Sequence, residues 1–233
     1  MRSKLLLLII FVSFSKLSYA DNRYFGELRY INPIFSTGDN QDNQPLADAR
    51  FPSGSKIFTE EEENYGIALG LELNKNHSLA ISFEDKDTQW RQNNFASPGT
   101  PPTNYNYIFR DLEIQNLLLE YNYIIPVKNW FKVKGILGAG LSHLETNDIT
   151  YYDAPAPGPG VGTSTDTPGA GVYDFSHKFG FGLEARLTGE NYINLSWVRT
   201  NYGKAEANKG NFRPATETEI IEEQIILGIK KYF

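Results

Sequence analysis

The chain has 233 residues with three histidines and no cysteine, so nucleophilic or metal chemistry would have to run through His77, His143 and His177. Two of these directly follow a serine, in Ser142-His143 and Ser176-His177. A serine hydroxyl becomes a nucleophile when an imidazole lies within hydrogen-bond reach. Both pairs sit where apolar residues recur at every second position, the period of a strand, and adjacent strand residues point to opposite faces. Neither serine can then reach its own histidine, so neither pair forms a dyad. His143 and His177 could share a strand end as a metal pair, but no carboxylate is placed to complete a ligand set. His77 falls in a turn. Asp39-Asn40-Gln41-Asp42 lacks the glycine turn and closing glutamate of a calcium loop, and Glu60–Glu63 reads as a charged rim. The absence of cysteine removes thiolate metal sites and disulfide frameworks. The expectation is no catalytic residue, no metal, no cofactor and no enzymatic activity.

A second group of ionisable residues does carry a pattern. Glu27, Arg29, Glu72, Glu84, Glu120, Lys132, Lys134, Lys178, Glu184, Arg186, Glu222 and Lys230 stand at alternate positions, opposite apolar neighbours. Six are acids and six are bases. The chemistry open to such a set is mutual pairing in a place that water does not fill.

The elements that would position them recur from end to end. Segment 23–32 sets Tyr24, Gly26, Leu28 and Tyr30 against Glu27 and Arg29. The same period of two runs through 64–74, 78–86, 107–123, 131–144, 175–187, 192–202 and 218–233, the signature of strands with one apolar and one polar face. Short connections at 74–77, 125–129 and 188–191 are built from turn-forming residues. They alternate with long ones at about 33–63, 87–106, 145–174 and 203–217. Roughly eight strands with short turns on one rim and long loops on the other fit an eight-stranded antiparallel up-and-down transmembrane β-barrel.

Alternation alone leaves the faces open, because a soluble barrel filled with apolar side chains has the same period. The charges decide. Balanced acids and bases suit a confined interior, where a charge that loses its partner costs about 3–5 kcal/mol; a solvated surface needs no such balance. Apolar residues then face lipid, and aromatics near strand ends (Tyr24, Tyr123, Phe131 and Phe233 on one rim, Tyr65, Tyr107, Phe109, Phe175 and Trp197 on the other) form two belts. Small residues share the charged face: Gly66, Ala68, Gly70, Ala80, Gly138, Gly140, Gly180, Gly182 and Gly228. They either make room for long charged side chains or line a slender water path.

Residues 1–20 read as a signal peptide: Arg2 and Lys4 precede the apolar run 5–12, and Ser18-Tyr19-Ala20 offers a cleavage site. Beyond these residues, which hold Arg2, Lys4 and Lys16 but no acid, 19 bases face 28 acids, a net charge of −9. Such a surface argues against a nucleic-acid partner. No later run is long enough for a membrane helix, so residues 21–233 would cross a bilayer only as a closed barrel.

Three stretches carry a family resemblance: 24–30 (YFGELRY), 135–140 (GILGAG) and 228–233 (GIKKYF). With them the chain resembles the small outer-membrane barrels of the OmpA transmembrane-domain, OmpX/Ail and opacity-protein kind. The resemblance implies an outer-membrane location, contact with lipid and lipopolysaccharide, and extracellular loops that engage host or matrix ligands. It also implies that Ile225, Leu227, Ile229 and the terminal Phe233 form the insertion signal read by the barrel assembly machinery, although Lys231 stands where the family has a bulky apolar residue. A chain ending at Phe233 would lack the peptidoglycan-binding domain of full OmpA-type proteins. Surface adhesion or immune interaction is the leading function, with a narrow channel for small solutes as the alternative. The loops supply Trp90, Phe95, Tyr105, Tyr151 and Tyr152 as contacts, either for such ligands or for the membrane surface.

Overall fold

The computed structural model describes residues 23–41, 56–58, 64–95, 105–147, 152–153, 169–207 and 216–233. Eight long strands account for nearly all of them: β1 (Arg23–Gln41), β2 (Asn64–Asn74), β3 (His77–Phe95), β4 (Tyr105–Lys128), β5 (Phe131–Thr146), β6 (Ala170–Thr188), β7 (Asn191–Ala207) and β8 (Thr216–Tyr232). Each pairs antiparallel with its sequence neighbours, and β8 pairs with β1, so the expected eight-stranded up-and-down barrel closes. Stepping from partner to partner, Phe25 leads through Gly70, Ala80, Glu120, Gly138, Lys178, Thr200 and Glu222 back to β1 at Ser36. One residue of that displacement belongs to the bulge between Pro33 and Phe35. The stagger tilts the strands, by about 40° in barrels of this size.

Two-residue turns join the strands at one rim: Lys75-Asn76, Asn129-Trp130 and Gly189-Glu190. The second corrects the sequence reading, which turns the chain around Pro126. Instead Pro126 stays in β4 opposite Lys132, at a bulge before Lys128, where a missing ladder donor is tolerated. The start of β1 and the end of β8 lie at this rim, with the Phe233 amide donating to the Tyr24 carbonyl at 3.0 Å. Gly189 has φ +54°, and an added Cβ would touch nothing. Gly189→Val should therefore destabilise the barrel by about 1–2 kcal/mol through the backbone alone. Gly189→Asn should cost less, and urea unfolding would separate the two.

At the opposite rim the strands outrun the loop boundaries drawn from alternation. β1 continues through Asp39-Asn40-Gln41, β3 reaches Phe95, β4 begins at Tyr105, β6 at Ala170 and β8 at Thr216, and β7 ends at Ala207. Crossing a bilayer takes about 9–11 residues, whereas β3 has 19 and β4 has 24. Charged and polar residues such as Asp85, Lys86, Asp87 and Thr88 interrupt the alternation there, so pairing persists where the hydrophobic signal fades. Two short strands, Lys56–Phe58 and Tyr152–Asp153, add to the outer ends of β3 and β4, making a four-stranded sheet beyond the barrel wall. Residues 1–20, Glu60–Glu63, Tyr151 and much of the long connections lie outside the described residues.

β7 departs from the ring. It pairs with β6 only as far as Asn201 opposite His177, then turns at Gly203, whose φ is +85°. The Asp174 carboxylate accepts from the Lys204 amide at 2.6 Å and leaves no room for a Cβ on Gly203. Above the turn β7 lies over β5: Ser142 Oγ donates to the Tyr202 carbonyl, and Thr146 Oγ1 donates to the Glu206 carbonyl at 3.0 Å.

Candidate functional site

The barrel wall reverses the polarity of a soluble protein. On the outward face Ile81, Leu117, Leu119, Leu137, Leu141, Phe181 and Ile229 are between 53% and 60% exposed, whereas inward-facing Glu27, Glu84, Glu120, Lys178 and Glu222 are at most 2% exposed. A closed ring pairs its own backbone groups, and an apolar outer wall needs no water, which is what hydrocarbon demands. The fold is that of a small outer-membrane β-barrel. Its apolar band gives way on the long-loop side to exposed Asp85, Asp87, Asp111, Glu113 and Glu145. Partial burial, and next Asp87, push the Asp85 carboxyl above the usual range; Glu113 rises through burial and then through Asp87 and Glu145. On the short-turn side the outward face carries Tyr123 and Trp130.

The interior is built in layers. Nearest the short turns, Glu184 receives Lys230 at 2.8 Å and Lys132 at 3.2 Å, while Glu72 receives Lys132 at 3.0 Å and the Tyr232 hydroxyl at 2.6 Å. In mid-barrel Arg29 spans two carboxylates: its Nη atoms hold Glu120 at 2.7 and 2.8 Å, and Nη2 also reaches Glu27 at 3.2 Å. Lys178 pairs with Glu84 and, at 3.3 Å, with Glu120, which also accepts from Ser82 at 2.8 Å. Above these, Lys86 pairs with Glu222, and Gln224 donates to both the Tyr202 hydroxyl and Glu222. Beyond it lies an apolar cluster of Leu112, Ile114, Leu144, Tyr202, Ala205 and Ile220, each 0% exposed, with buried Thr88, Thr146 and Thr218 beside it. Inward-turned β7 supplies two of its members.

Of the twelve charged positions taken from the alternation, Arg186 is not enclosed. It is exposed, and its Nε donates to the Gly189 carbonyl at 2.6 Å. The bulge between Arg186 and Thr188 puts it at the rim, where water and a free carbonyl are available. Lys86 takes its place inside. Lys86 and Tyr232 escaped the sequence reading although each stands two residues beyond an enclosed charge, Glu84 and Lys230; Tyr202 gave no such signal, whereas the alternation of 192–202 already sets Asn194 on the polar face, where it is buried.

The small residues of the charged face are filled by neighbours. A Cβ on Gly182 would meet Lys134 Cε at 2.8 Å, one on Gly138 would meet Lys178 Cβ at 3.4 Å, and one on Gly228 would strike the Glu27 carboxylate. Ser142 and Ser176 point inward, the latter donating to the Asn201 carbonyl at 3.0 Å. Their histidines point outward, His143 stacked on Tyr173 at 4.4 Å and His177 on Phe175 at 6.0 Å. His77 Nδ1 lies 2.6 Å from the Tyr121 hydroxyl. Ile225, Leu227 and Ile229 occupy the outward face of β8, and Phe233 directly follows its last residue. Trp90, Phe95, Tyr105 and Tyr152 lie in strands whose side chains there are outside the described residues.

No protein-family model and no curated protein matches the chain. Solved structures do. Neisserial surface protein A is similar at 11% identity, over 92% of this chain and 98% of its own, with a TM-score of 0.41. The attachment invasion locus protein Ail of Yersinia pestis, solved with the heparin analogue sucrose octasulfate, is similar at 12% identity over 92% and 100%, with a TM-score of 0.42. The outer membrane protease OmpT from Escherichia coli is similar at 10% identity over 93% and 99%, with a TM-score of 0.46.

Proposed function

We propose that this protein is a non-enzymatic barrel of the bacterial outer membrane that acts at its outer end. Its wall is anchored in lipid and lipopolysaccharide, and its long loops bind host, matrix or immune ligands. The observation that carries the reading is the blocked interior. A solute would have to pass the layer of Lys86, Glu222 and Gln224 and then the apolar cluster, and Leu112, Ile114, Leu144, Tyr202, Glu222 and Gln224 are all 0% exposed. The channel reading drew on glycines facing the lumen, and Gly138, Gly182 and Gly228 lie under charged side chains. What remains available for work is the outer end, where the four-stranded sheet on β3 and β4 offers a platform for the connections around Trp90, Phe95, Tyr105, Tyr151 and Tyr152. The same reading takes the outward residues Ile225, Leu227 and Ile229, with Phe233, as the assembly signal.

Two measurements test it. The purified barrel should leave a planar bilayer silent, and discrete conductance steps would restore the channel. Cells carrying a barrel with shortened loops should lose most of their binding to matrix and serum proteins; binding equal to that of intact cells would remove the adhesion reading.

A further inference from the structure

Arg29, Glu120, Lys134, Lys178, Asn194 and Ser196, with three aliphatic side chains, surround a mid-barrel cavity of about 10 Å³, room for a single small particle. Its polar wall is unevenly served. Glu120 is fully engaged by Arg29, Lys178 and Ser82. Asn194 donates to Glu27, and Ser196 donates to Asn194 Oδ1 at 3.2 Å. Lys134 differs: it is 5% exposed, and among the described residues it has no hydrogen bond and no carboxylate within 4.0 Å. The carboxylates whose charge acts on it, Glu27 and Glu184, each hold another cation. Arg29, 6% exposed, leaves its Nε–H without a partner.

We infer that this cavity is a binding site for one chloride-sized monovalent anion, held by the Lys134 ammonium and the Arg29 Nε–H. The donor inventory selects an anion over water. An ammonium brings three N–H donors and the Arg29 Nε one more, facing a carboxylate that is already taken. A water would accept two of these and add two donors of its own, whereas a halide only accepts. Of the three cations in the wall, Arg29 and Lys178 hold carboxylates and Lys134 does not, which favours negative charge beside it, and the volume excludes phosphate or sulfate. Gly182 makes room for the site, because a Cβ there would meet both Ser196 and the Lys134 stem.

Crystals of the wild-type barrel grown in bromide should show one anomalous peak between Lys134 and Arg29. A map without that peak, the outcome expected of water alone, would overturn the site. In detergent, replacing gluconate by chloride at equal ionic strength should raise the unfolding midpoint by about 5 °C. Lys134→Met should abolish that shift, and a shift of the same size in the variant would also overturn the assignment. If Lys134→Met does not fold, the wild-type bromide map decides by itself.

Discussion

Replacing Arg29 with methionine should lower the stability of the barrel by about 3–5 kcal/mol, because two enclosed carboxylates lose the cation they share. In a chain of this length that corresponds to a fall of roughly 10 °C in the unfolding midpoint. Glu120 would keep only Ser82 and the longer contact from Lys178, and Glu27 would keep Asn194. Adding Glu120→Gln should recover a substantial part of the loss, since the carboxylate left stranded by the first change is then neutral. The two effects would fail to add, as expected for side chains in direct contact. Arg29→Lys should rescue poorly, because a single ammonium cannot make the two parallel bonds to Glu120 and reach Glu27 as well. Urea unfolding in micelles, followed by the gel mobility of unheated against boiled samples, reads the wild type, the three single variants and the double variant. An unchanged midpoint for Arg29→Met would mean that these charges are not enclosed and paired.

The closed ring and its strand phase were legible because a membrane barrel has two unlike faces along every strand. Leu117 and Leu119 against Asn116 and Glu120 leave only one choice once the charges are placed inside. The ends were less legible, for a physical reason. Where the wall meets water, as at Asp85 and Asp87 on β3, both faces turn polar and alternation stops reporting a strand that the backbone continues to Phe95. Lys86 was lost in that fading zone, and Arg186 was drawn inside because a bulge next to a turn is invisible in a period-two pattern. Exchanging one for the other keeps six acids and six bases within the described interior, so the charge balance that chose the faces survives the correction. Partners were not legible at all. Arg29 meets Glu120 across 91 residues of sequence, and only the stagger of the closed ring brings them together. The inward turn of β7 depends on the backbone of Gly203 and the Asp174 carboxylate, neither of which alternation marks.

Leu119→Arg tests the assignment on which the interior depends. Leu119 faces outward in the middle of the apolar band, is 58% exposed and pairs with Ala139 on β5. If its surroundings are acyl chains, a guanidinium there should cost about 2–4 kcal/mol, whereas the same change near the interface costs about 0–1 kcal/mol. Gln115 supplies that reference, being outward on the same strand, four residues nearer the acidic rim. Leu119→Arg should therefore unfold in vesicles at clearly lower urea than Gln115→Arg. A soluble barrel would give the opposite order of concern, since an exposed leucine replaced by arginine in water costs little and aids solubility. Equal stability of the two variants would mean that water, and not lipid, bathes this face, and the enclosed ion pairs would then need a different reason to exist.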